Sequence, residues 1–452
     1  MEIETFMAFA LLFLYALIIF GVGLIAVRRT PDSFYVNNRE SGPWTVGFSI
    51  FVSCVGASAT IGVIGMAFAV GTPAFWWLGA GAAGLLLLSL ALARKVRASE
   101  AYTLPHMVGT FLGPSVRPVI SLVIVVAWIA ILAAQFSALS RILESLTGLS
   151  PLLCLLIGLT LVCGHTLGGQ SAIMRTDRVQ AVLILSSLVV MLIWLTQHNP
   201  GWIGAVRPEV VNAYFPPSML LYFLVIVGAN YVVCPMLYGR ILSAKNERSA
   251  RLGGLIGAAG IVLCSTLIVA VGLACVGLIP EQTPRDQVLT TVLSTAMPNW
   301  MQFVVSFALV SVIVSSADSC LVTAATVLSF DLLGKSSKQL QPASLSLRRE
   351  QACVILLGMV GAAVSLWGKS ILGFLLMAYT VFACGVVMPV GVGLLLYGKR
   401  SIDPRFACVA VAAGGLLGMT ATLTGNPLWS YAGLAVSGIL TLAGGRRKYE
   451  RA

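Results

Sequence analysis

The sequence predicts an all-α membrane protein that crosses the bilayer about thirteen times. Of its 452 residues, 58% are hydrophobic and only 10% are charged, and the mean hydropathy is +0.96. Apolar runs near the ~20 residues that a helix needs to cross a bilayer recur along the whole chain. Soluble globular proteins do not have this composition, so we expect no separate soluble domain.

Each predicted span is an apolar run bounded by charged, Gly-containing or Pro-containing segments. The run at residues 4–27 is too long for the core of a signal peptide and is followed by Arg28 and Arg29, so we interpret it as the first transmembrane helix. The other predicted spans are residues 43–70, 74–93, 118–147, 150–166, 177–197, 217–240, 251–279, 299–333, 350–367, 370–397, 406–424 and 427–445.

The net charge of +12 follows the topology. With the N-terminus outside, the loops that face inward carry 24 of the 28 Lys and Arg residues, Arg240 among them. This asymmetry obeys the positive-inside rule and predicts an odd number of crossings, with the C-terminus in the cytoplasm. We therefore expect a plasma membrane protein, in a bacterium the inner membrane, whose basic residues contact the lipid bilayer and not nucleic acid.

The span at residues 299–333 carries an unusual polar face. An acidic residue at mid-membrane costs roughly 2.5–3.5 kcal/mol, so the default interpretation of Asp318 is an ion or proton site. A structural carboxylate that bonds to a neighbouring helix is the alternative. Ser315, Ser316 and Asp318 share one side of the helix. By analogy with other hard cations, their oxygens suit Na⁺.

Two spans are interrupted near mid-depth. The second contains Gly56 and Ser58, and the seventh contains Asn230 and Pro235. Interrupted helices free backbone groups for substrate and ions at the bilayer midplane. Ordinary close packing through small residues is the alternative explanation.

The positions of these interruptions predict the internal organisation. They lie five spans apart, and an odd separation gives two halves of opposite topology, as in an inverted repeat. The predicted repeats are residues 43–200 and 217–397. An extra helix within residues 1–30 precedes them, and two helices with a basic tail follow in residues 406–452.

Short motifs recur in a particular order along the chain. They are Asp32–Arg39, Thr103–Pro105, Gly168–Ala172, Thr176–Gln180, Pro235–Arg240, Leu242–Lys245 and Val312–Ser316 with Asp331. In this order and spacing the chain resembles the sodium/solute symporter family, and its proline and pantothenate branch more than its sugar branch. The resemblance implies a LeuT-like core of two five-helix inverted repeats, which agrees with the two interrupted spans.

The resemblance also implies sodium sites. Its main site uses three backbone carbonyls and two hydroxyls, and the matching positions are Val52, Val55, Val312, Ser315 and Ser316. Some family members hold a second Na⁺, and the matching positions are Asp177, Asp318 and Ser319. Asp318 replaces a hydroxyl of the family pattern, so this second site is expected to be more negative than usual.

A substrate site is implied between the two interruptions. Its candidate residues are Gly56, Ser58, Gln135, Asn230, Tyr231 and Pro235. The Glu and Gln of sugar-binding relatives fall on Ser58 and Ala59, which argues against a sugar. The Asp of proline symporters falls on Cys54, so proline is not secured as the substrate either. The site is small and weakly polar, so the substrate is expected to be a small amino acid, a carboxylate or a similar solute. Gln135 is alternatively a packing residue that bonds between helices.

We therefore predict a sodium-coupled secondary active symporter that imports a small organic solute by alternating access. Na⁺ is the expected coupling ion, with no organic cofactor and no obligate protein partner. One alternative is a proton-coupled carrier of the same fold that uses Asp318; another is a transporter-derived sensor, which the short inner loops disfavour. No nucleophile–base pair or metal cluster is apparent at membrane depth in the sequence, so we do not expect an enzyme.

Overall fold

The computed structural model describes residues 13–21, 30–334, 347–367, 371–397 and 400–447. Most of the predicted first span lies outside these ranges, and so do eight of the basic positions considered above: Arg28, Arg29, Lys335, Lys338, Lys369, Lys399, Lys448 and Arg451. The described chain is helical apart from its loops, isolated bridges and one short ribbon. In that ribbon, β1 (Arg400–Ile402) pairs antiparallel with β2 (Gly445–Arg447).

The helices before residue 200 match the first six predicted spans and the loops between them. They are α1 (residues 13–21), α2 (Pro31–Val36), α3 (Pro43–Cys54), α4 (Val63–Val70), α5 (Trp76–Leu87), α6 (Ala93–Ala98), α7 (Leu104–Leu112), α8 (Val116–Thr147), α9 (Pro151–Thr166) and α10 (Gly169–His198). Wider π turns at Ser58–Gly62 and Leu88–Leu92 lead into α4 and α6.

The helices after residue 200 match the remaining spans, except that α11 and α16 lie in the loops between predicted spans. They are α11 (Gly201–Ala205), α12 (Pro217–Tyr222), α13 (Ala229–Val232), α14 (Pro235–Leu242), α15 (Glu247–Ala274), α16 (Val288–Ala296), α17 (Asn299–Thr326), α18 (Leu347–Ser365), α19 (Ile371–Phe382), α20 (Met388–Leu396), α21 (Pro404–Thr424) and α22 (Leu428–Ala443). Three more π turns, Phe223–Gly228, Val327–Leu332 and Ala383–Val387, lie within the seventh, ninth and eleventh spans.

The lengths and hydropathies of these helices agree with a polytopic membrane protein. In the described ranges, 8 helical segments are long and apolar enough to cross a bilayer, and the bent pair α3–α4 brings the number to 9. Helices α9 and α22 are apolar but shorter, and α1 and α18 occupy two further predicted spans. The count of thirteen crossings remains a prediction.

Both predicted interruptions are present. The axes of α3 and the segment Ser58–Val70 differ by 62° across a break centred on Val55 and Gly56. In the seventh span, α13 ends at Val232 and α14 begins at Pro235, after an extended Cys234. Proline lacks the backbone N–H that would continue the helix, and its ring disfavours helical geometry at the residue before it. The break therefore falls where the sequence predicts it.

Small residues bring the helices close together around these breaks. A Cβ on Gly257 would lie 2.6 Å from the Ile50 side chain, and one on Gly253 would lie 2.5 Å from Val46. Helix α15 can therefore lie directly against α3. On the other side of the core, a Cβ on Gly84 would lie 1.9 Å from the Gly228 carbonyl oxygen. Such close approach of backbones is typical of helix packing in membranes.

The loop motifs of the sequence meet at one end of the bundle. The Tyr102 hydroxyl donates to Asp32 at 2.7 Å, and Arg117 donates to Asp331 at 2.6 Å. His106 packs against the Phe330 ring, 5.2 Å between ring centroids. Burial, with a contribution from Arg117, lowers the pKa of His106 to about 4, so this ring is uncharged at pH 7. These motifs join the loops to the ends of α8 and α17.

One acidic residue near this end was not expected to be buried. The Glu350 side chain at the start of α18 is fully enclosed and accepts hydrogen bonds from the hydroxyls of Tyr35 and Ser329. The first residue of the predicted span 350–367 therefore becomes a core contact in the fold, because α2 and the turn Val327–Leu332 contact it.

We expect Gly84→Ala to destabilise the protein by about 1–3 kcal/mol, the usual cost of overpacking. The added methyl group would overlap the Gly228 carbonyl. Gly415→Ala is the matched control, because a Cβ on this helical glycine of α21 meets nothing within 4 Å. Thermal denaturation in detergent measures both variants. Equal melting temperatures would contradict the close contact of α5 with Phe223–Gly228.

Candidate functional site

The break in the second span leaves backbone groups that other helices satisfy. The Ala57 N–H donates to Gln135 Oε1 of α8 at 3.0 Å, and Thr60 Oγ1 donates to the Gly56 carbonyl at 3.0 Å. Val55 has a non-helical backbone, with φ −99° and ψ 70°. Its carbonyl accepts no hydrogen bond in the described part of the chain. The break therefore offers a free backbone oxygen inside the protein.

Ser316 of α17 lies directly across from this break. Its hydroxyl donates to the carbonyls of Ser53 at 3.2 Å and Val52 at 3.4 Å. Val312 lies one turn earlier on the same side of α17. The structure thus brings the Ser316 hydroxyl to the Val52 carbonyl, and the Val55 carbonyl follows three residues later in the chain. The role of these oxygens as cation ligands stays a prediction.

Ser315 faces a different partner. Its hydroxyl donates to Asp177 Oδ1 of α10 at 2.6 Å, and Ser49 of α3 donates to Asp177 Oδ2 at 2.5 Å. Asp177 is completely buried, whereas the sequence placed it at the end of a span. One residue of the predicted main sodium site and one of the predicted second site are therefore bonded directly to each other.

Arg240 lies at the centre of this polar region. Its guanidinium donates to Ser319 at 2.5 Å, to Ser53 at 3.2 Å and to Gln170 at 2.9 Å, and lies 3.9 Å from Asp177. The side chain is 0% exposed. Its assignment to the positive charges of an inner loop was wrong. Helix α14 turns the residue inward between α3, α10 and α17, where Asp177 offsets its charge.

Helix α9 supplies the partners of Asp318. Its carboxylate contacts His165 Nδ1 and accepts from Thr166 Oγ1 at 3.1 Å. The other ring nitrogen of His165 lies 3.2 Å from the Thr176 hydroxyl of α10. The predicted second-site residues therefore divide between two partners: Asp177 and Ser319 adjoin Arg240, and Asp318 adjoins His165.

A narrow internal cavity lies beside the break. Five of the six predicted substrate residues line it, namely Gly56, Ser58, Gln135, Asn230 and Tyr231. Pro235 does not, although its neighbours Cys234 and Met236 do. The cavity holds about 30 Å³, enough for roughly one or two water molecules. An organic solute therefore requires the surrounding helices or side chains to move apart.

The sodium candidate and this cavity share a wall. Ser316 lines the cavity as well. A Cβ on Gly56 would lie 2.8 Å from Ser316 Oγ and 2.9 Å from both polar atoms of the Gln135 amide. A glycine is needed here because any side chain would separate these groups. The absent side chain thus lets the Ser316 hydroxyl and the Gln135 amide lie side by side.

Sequence reasoning missed four residues of this region. Arg240 was counted as a loop charge and His165 as a residue near a span end. Trp128 and Tyr379 line the cavity but looked like ordinary apolar residues of their spans. A charge-balance argument could have found Arg240, because it follows an interrupted span and the deep carboxylates need a cation.

Comparison with known proteins supports a single family. The model of the sodium:solute symporter family matches residues 34–400. A sodium/pantothenate symporter of Haemophilus influenzae is 26% identical over 71% of this chain and 71% of its own length. The Escherichia coli sodium/pantothenate symporter is 23% identical over 89% and 88%. A sodium/proline symporter of Staphylococcus aureus is 24% identical over 61% and 57%. The predicted branch is confirmed.

Solved structures show the same fold. A Na⁺-coupled sialic acid symporter in a substrate-bound outward-open state superposes with a TM-score of 0.82 at 15% identity, covering 97% of this chain and 99% of that one. The nucleobase-cation-symport-1 family transporter Mhp1, in a closed conformation, gives 0.58 at 16% identity over 91% and 93%. The predicted all-α, LeuT-like class is confirmed. Because the family model spans most of its length, the chain belongs to the sodium:solute symporter family.

Proposed function

We propose that this integral membrane protein imports a small organic solute together with Na⁺ by alternating access. Family membership supports sodium-coupled solute transport and not enzymatic chemistry. One charge that crosses 100 mV releases about 2.3 kcal/mol. At about 1.4 kcal/mol per tenfold concentration ratio, each coupled charge can concentrate a solute roughly 45-fold. The N-terminus is outside and the C-terminus cytoplasmic in this proposal, as the distribution of basic residues indicates.

The main sodium site is proposed at Val52, Val55, Val312, Ser315 and Ser316. The observation that supports it is the position of the Ser316 hydroxyl, which donates hydrogen bonds to the Val52 and Ser53 carbonyls. These carbonyls lie at the helix break, where the Val55 carbonyl has no partner among the described residues. Na⁺ at this position would connect the end of α3, at the break, to α17 through ligands from both helices. Rotation of Ser315 away from Asp177 would complete the ligand set.

The second sodium site is proposed at Asp177, Asp318 and Ser319, with Arg240 as its neighbour. A second Na⁺ there must share the Asp177 carboxylate with the guanidinium. For Asp318 to bind this ion as well, its carboxylate must give up its contacts with His165 and Thr166. The contact between Asp318 and His165 favours one rival function, a carrier that moves a proton at this pair.

The two interrupted spans begin the two proposed repeats, residues 43–200 and 217–397. Solute binding is proposed at Gly56, Ser58, Gln135, Asn230, Tyr231 and Pro235, between the interruptions. Five of these line one cavity next to Ser316. Na⁺ that bridges α3 and α17 would therefore also fix one wall of the solute site, which couples the two ligands without a covalent step.

We expect Na⁺, and not K⁺, to raise the melting temperature of the purified protein. A ligand that binds only the folded state adds about 2.7 kcal/mol at a concentration of 100 times its dissociation constant. Ser316→Ala should raise the Na⁺ concentration needed for this stabilisation by roughly tenfold, because it removes one of the proposed oxygen ligands of the ion. Ser306→Ala, farther toward the N-terminal end of α17, is the control. Unchanged Na⁺ dependence in Ser316→Ala would refute the main-site assignment.

We expect Asp318→Asn to simplify the Na⁺ dependence of stability. Loss of the carboxylate removes one proposed ligand of the second ion, so a two-site titration should become a one-site titration. Asp286→Asn is the control, because Asp286 pairs with Arg141 at 3.7 Å in a partly exposed position. The titrations are followed by thermal denaturation at several pH values. If only the pH dependence changes, the proton-coupled alternative is supported; if nothing changes, Asp318 is a structural partner of His165.

A further inference from the structure

Two hydrogen-bond donors on one face of α8 have no partner at the solute cavity. Trp128 and Gln135 are two helical turns apart and both line the cavity. Trp128 is 3% exposed, and its indole N–H makes no hydrogen bond in the described part of the chain. Its ring is fixed edge-to-face against Phe382, with 5.2 Å between centroids. A buried donor without an acceptor is costly, so this N–H indicates a ligand.

The backbone break determines which end of the Gln135 amide is free. Gln135 Oε1 accepts from the Ala57 N–H at 3.0 Å. The amide nitrogen Nε2 therefore points elsewhere, and it donates to no acceptor in the described residues. Gln135 thus presents N–H groups, and not its oxygen, to the solute. Together with Trp128 it offers a pair of donors that fits an acceptor group such as a carboxylate.

The charges around the cavity select the sign of that group. No Asp, Glu, Lys, Arg or His is among the described residues that line it. The nearby carboxylates already have cationic or hydroxyl partners, Asp177 with Arg240 and Ser315, and Asp318 with His165. A substrate ammonium would therefore find no carboxylate in the cavity wall. A substrate carboxylate would find two donors and, next to Ser316, the proposed Na⁺.

The remainder of the wall mixes apolar surface with hydroxyls. Ser53 already bonds to Ser319 and Arg240, and Ser316 donates to the Val52 and Ser53 carbonyls. The hydroxyl side chains of Ser58, Tyr231 and Tyr379 also line the cavity.

Ile131 and Leu375 contribute aliphatic surface, and Cys54, Cys234 and Cys320 contribute thiols. Thiols behave as small hydrophobic groups when they are buried. Asn230 Nδ2 is already used, because it donates to the carbonyls of Ile226 at 2.6 Å and Tyr379 at 2.9 Å. Beyond the donor pair, aliphatic side chains, thiols and hydroxyls that already have partners make up much of the wall, so the cavity suits a mainly apolar body more than a polyhydroxylated one.

We propose that the solute is an organic monocarboxylate with an apolar body, and that its carboxylate accepts hydrogen bonds from Trp128 Nε1 and Gln135 Nε2. This inference rests on the proposed function, because the cation that offsets the carboxylate is the Na⁺ at Ser316. It assigns Trp128 and Gln135 as the specificity-determining residues. A zwitterionic amino acid binds more weakly, since no carboxylate among the described lining residues offsets its ammonium.

The test uses three compounds that share one skeleton: 4-methylpentanoate, leucine and 4-methylpentanamide. A second trio of propionate, alanine and propionamide covers a smaller body, and choline probes binding of a cation by the aromatic rings. Each compound is titrated into the purified full chain in Na⁺ and in K⁺ medium, and the melting temperature is recorded. The carboxylates are expected to raise it, in Na⁺ only, by more than the amino acids or the amides.

Two variants test the donors. Trp128→Phe keeps an aromatic ring against Phe382 and removes the N–H, so the carboxylate affinity should fall roughly tenfold with no change in stabilisation by Na⁺ alone. Trp194→Phe is the matched control, because the Trp194 indole already donates to the Ala296 carbonyl at 3.1 Å. Gln135→Glu retains the oxygen that caps Ala57 and replaces the donor by a negative charge. It should abolish carboxylate binding.

The outcomes separate this inference from the proposed function. Stabilisation by Na⁺ with a larger response to amino acids or choline, or with no response to any carboxylate, would overturn the substrate class and leave the sodium site intact. Wild-type carboxylate affinity in Trp128→Phe would remove this residue from the binding site. Absence of any response to Na⁺ or to the compounds would contradict the proposed function itself.

Discussion

A broken helix inside a membrane protein leaves backbone groups without their helical partners, and the rest of the site depends on how they are satisfied. In hydrocarbon each unsatisfied group costs several kcal/mol. Here Gln135 caps the Ala57 N–H, and Ser316 binds the carbonyls that precede the break. The Val55 carbonyl accepts no hydrogen bond from the described residues, and a cation would satisfy it. The break thus holds α8 and α17 in place and creates the proposed ion site at the same time.

A second constraint comes from buried charge. Arg240, Asp177, Asp318 and His165 are all at most 2% exposed, and they connect α9, α10, α14 and α17. Removing one partner from such a pair typically costs about 3–5 kcal/mol, because it leaves an uncompensated charge. The cluster therefore restricts how these helices move relative to each other. It also means that any second Na⁺ enters a region where a guanidinium already contacts the Asp177 carboxylate.

Close packing links the ion site to the solute cavity. Gly56 allows Ser316 and Gln135 to approach each other, so the proposed ion ligand and the proposed solute donor occupy adjacent positions on one wall. Coupling then needs no long pathway, because a change at either group is felt directly at the other. The cavity of about 30 Å³ is too small for an organic solute, so solute entry must be accompanied by movement of the side chains or of the helices that line it, among them α3, α8, α13, α17 and α19. Movement of these helices is the event that alternating access requires.

The sequence alone determined the membrane class, the positions of both interrupted spans and the family. It also selected five residues that line one cavity, although their role in binding a solute stays a prediction. Hydropathy, proline and glycine act locally, so their consequences can be predicted along the chain. Only the tertiary structure decided the partners of the charged residues. In the sequence, Arg240 resembles a loop charge, and His165 lies near the end of a predicted span. Their partners follow from the packing of α14 and α9 against α10 and α17. The unpartnered Trp128 donor became visible in the same way. Pairing between helices depends on which faces meet across the bundle, and one-dimensional patterns do not contain that information.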